Sequence, residues 1–110
     1  NIKIMIIHEF LDDEDMLYFL NHNTINLFLY DYMNGRGISS TIDFALSVNK
    51  PIGISNSYMF RHIYDDSICI YKQSIHHCIH HSLSYLQQFK ELFSEKNVIK
   101  RIEDFLMNNR

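Results

Sequence analysis

At 110 residues the chain has the length of one domain and is too short for two. A hydrophobic share of 46% and a charged share of 21% exclude a disordered or fibrous chain. The formal charge of −3 excludes broad phosphate-backbone binding, so nucleic acid is not an expected partner.

The seven histidines erode that charge as the pH falls toward their usual titration range. Cys69 and Cys78 make no disulfide framework and read as reduced thiols of a cytoplasmic protein, with room for peripheral contact with a membrane. No run is apolar for long enough to predict a membrane span or a signal peptide. The chain opens on Asn1 rather than Met, which is expected of a fragment of a longer protein.

Residues 2–7 (IKIMII) are apolar throughout and predict a buried parallel strand. Asp12, Asp13, Glu14 and Asp15 then open a helix, where acidic groups favour the positive end of the dipole. Met16, Leu17 and Leu20 supply its apolar face, and His22-Asn23 closes it. Residues 25–30 (INLFLY) predict a second strand, followed by a loop over residues 31–38. Ser39 and Ser40 are cap candidates for a helix to about Val48, with Ile42, Ala45 and Leu46 buried. Pro51 starts a third strand over residues 52–55.

Residues 57–62 predict a short helical turn and residues 67–71 (SICIY) a fourth strand. From Ser74 the chain reads as helix, broken near Phe93-Ser94, with a new start at Ser94. On the first of these helices Ile75, Ile79 and Leu83 are expected in the core. The whole predicts one α/β domain over residues 1–110: a Rossmann-like parallel sheet of about four strands, flanking helices and a helical tail.

Ligands of such sheets bind outside the carboxyl ends of the strands. The loop Asn34-Gly35-Arg36-Gly37-Ile38-Ser39-Ser40-Thr41 lies at such an end. Its glycines permit close approach, its hydroxyls donate, Arg36 carries a fixed charge, and the following helix start offers free N–H groups. Together these favour an anion, most simply a diphosphate; the alternative is a tight turn with an ordinary serine cap.

Other clusters have plainer readings. His76 with His80, and His77 with His81, stand one helical turn apart but lack a third metal ligand. Asp13-Glu14-Asp15 is explained by its helix start, and Asp65-Asp66 by a solvated turn. Arg61 and His62 follow the third strand on the ligand side, either as contacts to a donor phosphate or sugar or as a surface pair. No metal ligand set, catalytic group or cofactor is assigned.

The segment NTINLFLYDYMNGRGISSTIDFALSVNKPIGIS resembles the C-terminal, nucleotide-sugar-binding domain of GT-B-type glycosyltransferases, through Gly35, Gly37, Ala45, Leu46, Lys50 and Pro51. The preceding FLDDEDMLYFLNHNTINLFLY is similar to that family's helix between two strands. The likeness covers residues 2–57. It implies the donor-binding half of an enzyme that transfers a sugar from a nucleotide-diphosphate sugar to an acceptor. An N-terminal Rossmann-like domain, missing here, would supply most of the catalytic site, so the isolated chain would bind donor weakly and catalyse nothing. Gly35, Arg36, Gly37, Ser39, Ser40 and Thr41 would face the diphosphate, with Ser57 and Arg61 as further donor contacts.

There are departures from the family pattern. Its ribose-binding glutamate falls opposite Phe44, so the tentative ribose contact is Asp43, one position earlier, or else Asp43 is simply solvated. Asn34 stands where the family carries an acidic residue, and the family's further strands before residues 2–7 are lacking. The alternative to a glycosyltransferase half is a receiver-like or interaction module of flavodoxin-like fold. Its interface would be the aromatics Tyr58, Phe60, Tyr64, Tyr85, Phe89 and Phe93.

Overall fold

The computed structural model describes residues 2–32 and 35–108. Asn1 and Asn34 lie outside them. In chain order the elements are α1 (Asp13–Asn21), β1 (Asn26–Phe28), α2 (Thr41–Ser47), β2 (Ile52–Ile54), 3-10 turns at Tyr58–Phe60 and Asp66–Ile68, α3 (Ile75–Leu92) and α4 (Glu95–Asn108).

The predicted helices form, although α2 lacks the expected serine cap, since Ser40 makes no side-chain cap hydrogen bond. Asp12 caps α1 by accepting a hydrogen bond from the Asp15 N–H at 2.8 Å. Ile42 and Ala45 of α2 are fully buried. Asn49, just past α2, takes a left-handed φ of 53°, a conformation asparagine tolerates at a helix end. Ser74 caps α3 by accepting from the His77 N–H at 3.0 Å. Ser94 opens α4, its carbonyl accepting from Val98 N at 2.9 Å.

The sheet is a correction. Among the described residues the expected four-strand Rossmann-like sheet does not form; the sheet is a parallel pair of β1 and β2, with Asn26 opposite Ile52, Leu27 opposite Gly53 and Phe28 opposite Ile54. Residues 67–71 do not form a fourth strand. Asp65 accepts from the Ser67 N–H at 2.9 Å and winds the chain into a 3-10 turn. The amides of Lys72 and Gln73 then both fold back on the Cys69 carbonyl, at 3.0 and 2.8 Å. Between these turns a single parallel bridge survives, Ile54 with Cys69.

Residues 2–7 do not form a strand either. They are exposed, Ile2 at 93% and Ile6 at 74%, and run beside α1, where Met5 and Ile7 border a shallow cleft with Met16 and Phe19. Apolar content marks a segment for burial but names no ladder partner, and this one pairs with neither strand.

The core lies between the strand pair, α2 and α3. Phe28, Ile42, Ile52, Ile54, Phe60, Ile63, Ile68 and Leu86 fill it. Here α3 is rotated from expectation. Cys78, Ser82 and Leu86 are its buried residues, whereas Ile75 is exposed and Ile79 and Leu83 only half-buried. Small side chains at Cys78 and Ser82 let the helix approach β2 closely. Gly53 is set by its flanking segments rather than by α3: a Cβ there would stand 2.7 Å from Ile70 Cγ2 and 2.8 Å from Leu27 Cδ2, but 3.8 Å from Cys78 Sγ.

The even-numbered residues of β2 turn their backbone away from β1. The Ile54 carbonyl accepts from Ile70 N at 3.0 Å. The Ile52 N–H has no such strand to meet, and donates instead to the Ser82 hydroxyl at 3.0 Å. A side chain of α3 thus stands where a third strand's carbonyl would.

Candidate functional site at the carboxyl edge of the strands

The chain leaves β1 and β2 at the same edge, where three side chains and one backbone amide draw the loops together. Ser55 donates from its hydroxyl to the Tyr30 carbonyl at 2.6 Å. Ser57 donates to the Asp31 carbonyl at 2.8 Å and accepts from the Met59 N–H at 3.3 Å, capping the first 3-10 turn. The backbone of Ser39 donates to the Met59 carbonyl at 2.9 Å. Arg61 donates to the Tyr58 carbonyl at 2.8 Å and across to the Arg36 carbonyl at 3.2 Å.

Most residues expected at the diphosphate therefore share one edge, but they divide into groups of different chemistry. Arg61 is exposed, with its guanidinium 4.1 Å above the Tyr58 ring. Arg36 is also exposed, and its carbonyl meets the Arg61 guanidinium although the two residues stand 25 apart in sequence. Tyr32 faces Tyr58 with ring centroids 6.3 Å apart. Gly35 needs its freedom, with φ at 77°, and no atom would meet a Cβ at Gly37 within 4 Å. Here cations, aromatic faces and open backbone lie together.

Ser39 and Ser57 differ. Both are buried, and the Ser57 hydroxyl is occupied by backbone partners, so it acts as a structural clasp. Ser40 precedes α2 in helical conformation and makes no side-chain cap. With Thr41 it lines a cleft of about 350 Å³ shared with Glu9, Phe10, Asp13 and Phe44, of which Arg61 is not part. Carboxylates there repel phosphate. Asp43 is exposed in the first turn of α2, where the dipole favours it.

His62 is the residue whose environment the sequence did not disclose. Both ring nitrogens are buried with no hydrogen-bond partner among the described residues. Burial lowers its pKa from 6.5; attraction to Asp43 opposes that shift and repulsion from Arg61 adds to it. It is neither a surface pair with Arg61 nor open to a ligand. Tyr58 was legible only as an aromatic; its spacing to Arg61, one turn of 3-10 helix, is the signal that places the ring under the guanidinium.

The interface expected of the aromatics is corrected too. Phe60 is fully buried, stacked on Tyr30 at 5.0 Å between centroids. Tyr64, Tyr85 and Phe89 pack against the core, and Tyr85 donates to the Ile63 carbonyl. Of the group, Tyr58 and Phe93 remain exposed.

On α3, His76 and His80 lie 4.4 Å apart between ring centroids, and His77 and His81 4.5 Å. Among the described residues no three His, Cys, Asp or Glu side chains converge as a metal ion would require. Cys69 and Cys78 are both free and buried. No helix of the described residues is long and apolar enough to cross a membrane. Compared with known proteins, the chain matches no family profile, no curated protein and no solved structure.

Proposed function

We propose that the carboxyl edge around Arg36, Tyr58 and Arg61 binds the nucleoside diphosphate portion of a nucleotide sugar, as the donor-binding half of a glycosyltransferase. The observation that carries this reading is the bridge from Arg61 across to the Arg36 backbone, with Tyr58 beneath it. It sets two permanent cations and two aromatic rings on one exposed edge. A diphosphate gains charge-assisted hydrogen bonds from guanidinium groups, and a base gains stacking from tyrosine. The glycosyltransferase assignment rests on the sequence resemblance.

The contact set is narrower than the sequence implied. Arg36, Arg61 and the backbone of Gly35 and Gly37 touch the phosphates. Ser39 and Ser57 hold the edge together and do not reach the ligand. Ser40, Thr41 and Asp43 stand aside. No residue of the edge is placed to act as a catalytic base, and the acceptor site and base belong to the partner domain that the resemblance implies. The two free buried thiols support a reducing, cytoplasmic setting.

Backbone NMR with added uridine or guanosine diphosphate tests the reading. Half a donor site supplies about 4 kcal/mol, so binding is expected near millimolar. Shifts should centre on Gly35 to Gly37 and on Tyr58 and Arg61. Arg36→Ala is the clean variant, because the backbone, not the side chain, of Arg36 holds Arg61; it should weaken binding roughly tenfold. Shifts confined to residues 76–81, or none at saturating nucleotide, would remove the assignment.

A further inference from the structure

Helix α3 turns four imidazoles outward on the face opposite its buried one. Cys78, Ser82 and Leu86 pack inward. At about 100° per residue, His76, His77, His80 and His81 span an arc of about 140°, centred about 170° away from those three. The bond between the Ser82 hydroxyl and the Ile52 N–H fixes the phase of the helix, so the arc stays outside the core. His76, His80 and His81 are exposed and His77 is half-buried. Among the described residues none of the four imidazoles has a hydrogen-bond or ion-pair partner.

The spacing within each pair is that of two ligands on one ion. His76 and His80 stand 4.4 Å apart between ring centroids, with the ring planes at 61°, and His77 and His81 stand 4.5 Å apart at 37°. Two imidazoles bound through nitrogen at about 2.1 Å hold their centroids about 4.5 Å apart when the bonds meet at a right angle, and about 5.2 Å apart at the tetrahedral angle. Both pairs match the right angle. That angle suits nickel(II) and copper(II), whereas zinc favours the tetrahedron. The positive end of the α3 dipole opposes a cation, but its influence fades within the first turn, and His80 and His81 stand beyond it. No third His, Cys, Asp or Glu of the described residues joins either pair. Neither is therefore a closed structural centre, and water fills the positions that a pair leaves open.

We propose that each histidine pair of α3 chelates one divalent ion of the nickel or copper(II) class, His76 with His80 and His77 with His81, in an open and exchangeable surface site. This inference is independent of the nucleotide reading. An ion held across one turn staples α3, so it binds the folded helix better than the unfolded chain and stabilises the fold by linkage. The fold does not depend on it, because the core contacts of α3 lie on the other face. With two protein ligands the affinity is moderate, a dissociation constant of about 1–100 μM for the first ion. The second ion binds up to about tenfold more weakly, through repulsion by the first.

Isothermal titration of the 110-residue chain with Ni²⁺ tests this, with thermal melts by circular dichroism alongside. Two ions should bind, the first with a dissociation constant below about 100 μM, and Zn²⁺ should bind at least about threefold more weakly. Added Ni²⁺ should raise the melting temperature, and excess chelator should return it to the metal-free value. His80→Gln should leave one ion, at His77 and His81. His80→Gln with His81→Gln should leave none, with helix content unchanged because both positions lie off the core. His8→Gln, at an exposed histidine outside α3, is the control and should keep the first dissociation constant within about twofold. A first dissociation constant above about 1 mM would overturn the proposal. So would a double variant that binds Ni²⁺ as the wild type does, binding lost in His8→Gln, or Zn²⁺ bound more tightly than Ni²⁺.

Discussion

Ser82→Ala removes one oxygen from the interior and leaves the Ile52 N–H without an acceptor. Both residues are fully buried, so water does not replace the lost bond. An unsatisfied buried amide costs about 1–3 kcal/mol. Alanine returns roughly 0.5 kcal/mol through its higher helix propensity. The net loss is therefore about 0.5–2.5 kcal/mol, which lowers Tm by roughly 2–20 °C for a domain of this size. Ser84→Ala is the control: Ser84 lies one residue past the half-buried Leu83 on the exposed side of α3, and its replacement should stay within about 0.5 kcal/mol. Thermal unfolding by circular dichroism compares the two, and hydrogen exchange at Ile52 reads the bond directly. Equal melting temperatures for the two variants, or an Ile52 amide equally protected in both, would refute the claim that a helix hydroxyl completes β2.

The remaining predictions concern the core, pH and metal. Gly53→Ala drives a methyl to within 2.8 Å of both Ile70 and Leu27 side chains, and should cost about 1–2 kcal/mol in urea unfolding; a neutral effect would show that Leu27, half-exposed, simply swings away. His62 titrates lower when folded than its ordinary 6.5, so the unfolded chain binds the extra proton first. Stability should hold above about pH 6.5 and fall as the pH drops below it, until the folded group also protonates. His62→Phe should flatten that limb of the pH profile and Asp43→Asn should steepen it; a His62→Phe profile identical to wild type would rule out His62 as the source. Chelator should leave the melting temperature within about 1 °C, since each histidine pair supplies only two ligands; a large loss would reveal a structural metal.

Legibility in the sequence followed the range of the interactions concerned. The helix starts at Asp12, Ser74 and Ser94 were readable because start signals act over three or four residues, whereas the cap expected of Ser39 or Ser40 does not form on α2. Ile42 and Ala45 were readable because one buried helical face is a local period. The phase of α3 was not. Ile75, Ile79 and Leu83 form the more apolar stripe, but the sheet selects Cys78 and Ser82, whose small size permits close approach and whose hydroxyl is needed at Ile52. That need arises from a residue thirty positions away. The sheet failed for the same reason. Residues 2–7 and 67–71 have strand composition, yet pairing depends on a free ladder edge at the right height. Turns fixed by Asp65 and the Cys69 carbonyl limit the second segment to one bridge.

The candidate site shows how a loop rich in possible donors becomes selective. Read linearly, the stretch from Gly35 to Thr41 offers glycine, guanidinium and three hydroxyls to one anion. Folding commits these groups in different directions. Ser39 is buried in joining the loop to Met59, and Ser57 is occupied by Asp31 and Met59. Ser40 and Thr41 turn toward Glu9 and Asp13. Among the described residues of the edge, Arg36, Arg61 and the glycine backbone still face solvent with positive potential. Any anion on this edge must therefore be held by charge and open backbone rather than by hydroxyls. This separates two outcomes experimentally: Ser57→Ala should act on stability, by loosening the loops, and Arg36→Ala on affinity alone. If Ser57→Ala instead weakened nucleotide binding at full stability, the clasp would be a ligand contact, and the division of the edge drawn here would be wrong.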